Sequence, residues 1–246
     1  MFSAFFRSVA SSYHSHAGAA KSATPTSSDR YARATATRAS TAGNAGKTSA
    51  SQVAVDARKF LDAGYLKLGK VADAGTSDQD WHGAIRIQVL DRRALYAIAT
   101  DHGGLFSATE AKAAKDEVTS IEARASKAAN PRGTDQMAAA RATVTVLDGA
   151  GPEEMASLDW AQKRAAAQVR YQGLATALHT GRAASGVETG NPVVDHFVKA
   201  WGEFEKAKAY AHDGASVHVE DMPSWSKGIS LWTSLHAPQA KALGRL

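Results

Sequence analysis

Along this chain, apolar residues recur at steps of three and four, the period of an amphipathic helix, from about residue 51 onward. The first such stretch runs from about 51 to 70 and turns Val53, Ala57, Phe60, Leu61 and Leu68 inward. Residues 73–80 read as a polar loop. Ile85, Arg86, Ile87, Gln88 and Val89 alternate apolar with polar and predict a short strand. Asp91 is placed to cap a helix through Thr100 that buries Ala94, Leu95 and Ile98. After the turn His102-Gly103-Gly104, Ala111, Ala114, Val118, Ile121, Ala125 and Ala128 form a small-residue seam on which a partner helix could pack closely. Asn130-Pro131-Arg132-Gly133 breaks that helix. One helix to about Leu147, a break over 148–151 and a Pro152-led helix to about Thr180 follow. Asn191 as N-cap and Pro192 at the first helical position start the next, with Val194, Phe197, Val198, Trp201 and Phe204 on one buried face. Trp225, Ile229, Leu231, Trp232 and Leu235 form a last apolar cluster before Pro238.

Residues 1–52 are of another kind. From Ser22 to Gln52 the chain is Ser, Thr, Ala, Gly and scattered Arg, with Tyr31 the only large ring, too little apolar surface to offset the entropy of ordering. Ahead of it, Phe2, Phe5, Phe6, Val9 and Tyr13 make one short apolar stripe beside Arg7. The expected organisation is a disordered basic leader over 1–52 and a helical domain over 53–246, with a subdivision near 130–151. The fold class is mainly α, a multi-helix domain behind a disordered N-terminal tail. Such a leader fits an organelle transit peptide, or the unfolded leader that bacterial injection systems thread. The segment lacks the apolar core of a Sec signal peptide, and no stretch reaches the roughly 20 apolar residues of a membrane span. Cytoplasmic residence, leader-dependent export and organelle import are the localisations left open.

Charge sharpens this division. The net +5 belongs to the leader, where Arg7, Lys21, Arg30, Arg33, Arg38 and Lys47 face the single acid Asp29. The body keeps 23 of the 29 basic and 23 of the 24 acidic residues and is neutral. The pI near 9.4 is therefore no argument for nucleic-acid binding by the folded body. The chain has no cysteine, which excludes disulfides, thiolate metal sites and cysteine nucleophiles.

Two neighbouring stretches carry metal-ligand spacing. In 99–110, Asp101 stands third, Gly104 sixth, Phe106 eighth, Ser107 ninth and Glu110 twelfth; Ala99 and Gly103 hold the first and fifth places without a carboxylate. In 78–89, Asp78, Asp80, Gly83 and Ile85 stand first, third, sixth and eighth, with His82 fifth and Val89 last. Both resemble EF-hand calcium loops, whose first, third, fifth and twelfth places carry the ligands and whose sixth is Gly. The resemblance covers residues 78–110 and implies a helix-loop-helix with Asp101, Ser107 and Glu110 as calcium ligands. Missing carboxylates hold the expected affinity to roughly the millimolar range of the weakest such modules. The alternative is a plain helical hairpin, in which Gly103-Gly104 supply the turn and Ser107 or Thr109 caps the next helix.

Other candidate chemistry is sparse. Thr41 to Thr48 ends like a phosphate loop, but Thr41 stands where Gly is needed and no buried strand precedes it. His212-Asp213 and His218, Glu220 and Asp221 offer imidazole and carboxylate without the helical spacing that fixes a zinc or iron site. His14 and His16 lie in the leader, and His179 and His196 lie near helix ends. Glu153-Glu154 suit a helix N-terminus. Nucleophile elbow, zincin and dinucleotide patterns do not occur. The chain thus reads as a non-enzymatic interaction protein with a protein partner, of the kind bacteria export behind an unfolded leader, with no cofactor. A metal-dependent or small-molecule enzyme using the acidic and histidine loops, and a calcium-responsive module, are the alternatives.

Overall fold

The computed structural model describes residues 48–70, 75–178, 186–210 and 216–236. Almost the whole leader, the Thr41 to Thr48 motif up to Lys47, Asp73, His14, His16, His179, His212, Asp213 and Pro238 lie outside them. The protein is mainly helical, with nine α-helices and no strand among the described residues. They are α1 Ala50–Leu68, α2 Asp78–Asp80, α3 Arg92–Ala99, α4 Ala108–Ala129, α5 Gln136–Asp148, α6 Pro152–Met155, α7 Leu158–Ala177, α8 Pro192–Tyr210 and α9 Pro223–His236. They form two compact units between which the chain passes three times. Residues 48–134 and 148–155 make the N-terminal unit; 135–147 and 156–236 make the C-terminal one.

In the N-terminal unit, Ser49 starts α1 by accepting the Gln52 N–H, and Gly69 ends it at φ +63°, a left-handed cap that glycine adopts without cost. The helix therefore begins inside the expected leader boundary. Ala54, Ala57, Leu61 and Tyr65 of α1 pack with Trp81, Ile85, Ile87, Leu95, Ile98, Phe106 and Ala114 into one core. Asp91 caps α3 through the Ala94 N–H at 2.8 Å, as its position predicted.

The expected strand over 85–89 does not form. Trp81–Ile85 is a π-helical turn and Ile87–Val89 a 3₁₀ turn, joined by Arg86 at φ +60°. Ile85 and Ile87 both reach the core while Arg86 is exposed, an alternation that a left-handed residue between two helical turns produces and that ends there, since Val89 is exposed. The α4 seam also differs from expectation. Ala114 is its only fully buried member, and Glu110 and Glu117 are buried beside it. The long helix expected from Pro152 is two: α6 stops at Met155, and Ser157 restarts the chain as the α7 N-cap through the Trp160 N–H.

In the C-terminal unit, Asn191 accepts the Val193 and Val194 N–H groups and starts α8 as expected. Val193, Val194, Phe197 and Ala200 are buried, and the Phe197 ring meets Trp225 of α9 edge-on at 4.7 Å. Glu203 of α8 holds the start of α9, its carboxylate accepting the Ser224 N–H at 3.0 Å and hydroxyl at 2.6 Å. Those bonds keep the Glu203 carboxyl below its ordinary range. Trp160 donates its indole N–H to the Leu147 carbonyl, tying α7 to α5.

One close approach makes a clear test. A Cβ at Gly64 would lie 2.9 Å from the Ile85 Cα, where only backbone movement could relieve the clash, whereas one at Gly202 meets nothing within 4 Å. Gly64→Ala is therefore expected to cost on the order of 1–3 kcal/mol through overpacking. Gly202→Ala, in the interior of α8, is expected to be stabilising by roughly 0.5–1 kcal/mol. Urea denaturation midpoints of the two variants should move in opposite directions.

Candidate functional site

The loop predicted from spacing lies between α3 and α4, and local chemistry shapes it. Asp101, Gly103 and Gly104 all have positive φ, at 47°, 78° and 68°, which bends the chain back on itself. Asp101 accepts the Phe106 N–H through Oδ1 at 2.7 Å, stitching the loop internally. Ser107 and Glu110 form a reciprocal capping box: Ser107 Oγ accepts the Glu110 N–H at 3.2 Å, and Glu110 Oε2 accepts the Ser107 N–H at 2.7 Å.

The other partners of Glu110 come from α1. Its side chain is 1% exposed, and Arg58 Nη1 donates to both carboxylate oxygens at 2.7 and 2.9 Å. Tyr65 donates its hydroxyl to Oε1 at 2.9 Å. Burial first, and then that hydrogen bond, push the Tyr65 phenol well above its ordinary value. Of the three residues proposed as ligands, Asp101 and Glu110 thus have a carboxylate oxygen bonded within the fold, and Ser107 caps a helix.

The 78–89 stretch is not an open loop. Ser77 and Asp80 close a second capping box, and Lys70 reaches Asp80 at 3.2 Å. His82 Nδ1 lies 2.9 Å from the Asp78 carbonyl, which can only accept, so Nδ1 carries the hydrogen. Nε2 faces Glu117 Oε2 at 3.5 Å, while Arg124 pairs with the other oxygen of Glu117. Among the described residues, no group of three or more His, Asp or Glu side chains converges as a metal site.

Glu153 and Glu154 do more than face a helix dipole. Arg92 of α3 donates to both oxygens of Glu154, at 2.9 and 2.7 Å, and reaches Glu122 at 2.8 Å. Arg93 pairs with Glu153 through two nitrogens and also donates to the Thr48 carbonyl. Sequence reading missed these pairs because their members stand 62 and 60 positions apart. The cavity beside them, lined by Arg93, Tyr96, His102 and Glu153, measures about 20 Å³, room for one water molecule.

The C-terminal unit holds the larger opening, a cleft of about 250 Å³ lined by Trp201, Phe204, Lys208, Val217, His218, Val219 and Glu220. Its apolar wall comes from the face of α8 that periodicity assigned to the core. Along this face Val194 and Phe197 are buried while Trp201 and Phe204 are half-buried. The two rings meet edge-on at 5.6 Å, and the Lys208 ammonium lies 5.8 Å from the Phe204 ring centre. His218 shares a 2.8 Å hydrogen bond with Ser216. Asp221 accepts the His218 backbone N–H at 3.3 Å.

Fold and site define the class of this molecule as a mainly helical protein of two units whose segments alternate along the chain, with an aromatic cleft in one and an arginine-closed loop in the other. No family model, curated protein or solved structure matches it.

The Arg93–Glu153 pair gives the N-terminal unit a pH dependence of defined sign. The hydrogen bond from Arg93 is the main cause that holds the Glu153 carboxyl below its ordinary 4.5. A carboxyl depressed in the folded state contributes stability that is present above the unfolded value and lost as pH falls through the folded one. Stability should therefore decline below about pH 4.5 more steeply in the wild type than in Glu153→Gln, as read by denaturation midpoints between pH 7 and pH 3.

Proposed function

We propose that this is a non-enzymatic interaction protein whose C-terminal cleft receives one apolar side chain of a protein partner. The observation that carries this reading is a half-buried Trp201–Phe204 wall in a cleft of about 250 Å³. That volume lies below the roughly 300–1,000 Å³ of pockets that enclose a whole small molecule. It suits a single anchoring side chain, the usual hot-spot arrangement of an aromatic wall inside a polar rim. Val217 and Val219 complete the apolar walls, and Lys208, His218 and Glu220 form the rim. Lys208 and His218 select an anchor followed by an acidic residue, and Glu220 selects against a purely anionic ligand.

Two features weigh against the alternatives. The displaced carboxyls of Glu153 and Glu203 are explained by an ion pair and a helix cap rather than by a site for proton transfer. For a calcium-responsive module, Glu110 would have to exchange Arg58 for the metal.

Selection of a random peptide library on the immobilised full chain tests the proposal. Enriched peptides should share an apolar residue flanked by an acid. Their affinity should fall at least tenfold in Trp201→Ala and several-fold in Lys208→Glu. Because Trp201 is half-buried, its removal should cost less stability than the roughly 3–5 kcal/mol of a fully buried large ring. Binding indifferent to both substitutions, or no enrichment at all, would refute the reading.

A further inference from the structure

The oxygens that Arg58 gathers are those that a calcium loop would offer its ion. With Ala99 as the first position of the 99–110 loop, Leu105 is the seventh and Glu110 the twelfth. In the loops it resembles, the seventh residue gives the ion its backbone carbonyl and the twelfth gives both carboxylate oxygens. Here one nitrogen, Arg58 Nη1, lies 2.7 and 2.9 Å from the two Glu110 oxygens and 3.4 Å from the Leu105 carbonyl oxygen. The guanidinium carbon stands 5.8 Å from the ring centre of Phe106, the eighth residue of the loop, and 5.8 Å from that of Tyr65. Arg58 Nε and Nη2 are held by Asp62, one turn along α1, at 2.9 and 2.8 Å. The cation is thus fixed from both sides, by the loop and by its own helix.

The charge balance points the same way. Glu110 is 1% exposed, and a buried carboxylate requires a counter-charge and hydrogen-bond donors. Arg58, the Tyr65 hydroxyl and the Ser107 N–H supply them without any metal. A divalent ion would have to displace the guanidinium, because both would need the same oxygens at contact distance.

We propose that Arg58 is the resident cation of the 99–110 loop: it takes the place of a divalent ion, closes the hairpin without metal, and hides a latent site for a hard polyvalent cation. This rests on the likeness of the loop to calcium loops and is independent of the cleft. In this reading the hairpin is insensitive to calcium as long as α1 is docked, and gains oxygen ligands for a metal only when Arg58 withdraws.

Terbium(III), a hard ion whose emission is sensitised by nearby phenol and indole rings, tests the proposal on the full chain. Tyr65 donates directly to Glu110, and its ring lies 6.1 Å from that of Trp81, so both rings are placed to sensitise an ion at Glu110. The wild type should give no saturable sensitised emission. Arg58→Met, which keeps an apolar stem in place, should give saturable emission that millimolar calcium competes away and that an added Glu110→Gln abolishes. Calcium at 10 mM, roughly ten times the weakest Kd of such loops, should raise the melting temperature of Arg58→Met and leave the wild type unchanged. Saturable, Glu110-dependent emission from the wild type would overturn the proposal, as would a folded Arg58→Met that stays dark. If Arg58→Met does not fold in the absence of metal, calcium or terbium must restore its helical circular dichroism, and failure to do so overturns the proposal equally.

Discussion

A carboxylate with 1% of its surface in contact with solvent is the constraint around which the N-terminal unit is arranged. Left alone, the Glu110 charge would be expensive to bury, so the fold has to deliver a cation and further donors to it. That requirement fixes several elements at once. Helix α1 must dock so that Arg58 and Tyr65, two turns apart on one face, both reach the carboxylate. The α3–α4 turn must be tight enough for the Ser107 N–H to point back at it. The core of Leu61, Leu95, Ile98 and Phe106 then closes around the site. Apolar burial supplies the drive, and the carboxylate supplies the register.

The C-terminal unit rests on a different device. One continuous amphipathic face of α8 is used twice, first as core against α9 and then as the wall of the cleft. Gly228 permits the first use, since a Cβ there would lie 2.9 Å from the Phe197 ring. Glu203 holds the first turn of α9 beside that face. On either side of Glu203, Trp201 and Phe204 keep part of their surface open. One stripe thus provides both rigidity and an exposed aromatic surface.

Local signals in the sequence led to much of this architecture. Asp91, Ser107, Asn191 and Pro192 act as helix starts because capping depends on a residue and its next three neighbours. The Gly103-Gly104 turn was legible for the same reason. The turn pair at 81–89 was not, because alternating burial is a property of the core that Ile85 and Ile87 face and does not by itself specify extended backbone. Long-range pairing was equally hidden. Periodicity marks Arg58 and Glu110 as polar positions on two helices, but nothing local connects residues 52 apart. The partial burial of Trp201 depends on what packs over that part of α8, which the pattern of α8 alone does not contain.

The path of the chain has a consequence for inheritance. It leaves the N-terminal unit after Thr134, builds α5 in the C-terminal unit, returns for residues 148–155 and leaves again. The returning segment carries Glu153 and Glu154, the carboxylates that neutralise Arg93 and Arg92. A gene fragment ending at codon 134 would encode Arg93 without Glu153 and leave Arg92 with Glu122 alone, and one beginning there would carry Glu153 and Glu154 into a unit that does not use them. Neither unit can therefore be shuffled as a single exon-like cassette. Recombination at that codon would separate acids from the arginines they pair with, so descendants of this protein should diversify by substitution rather than by trading halves.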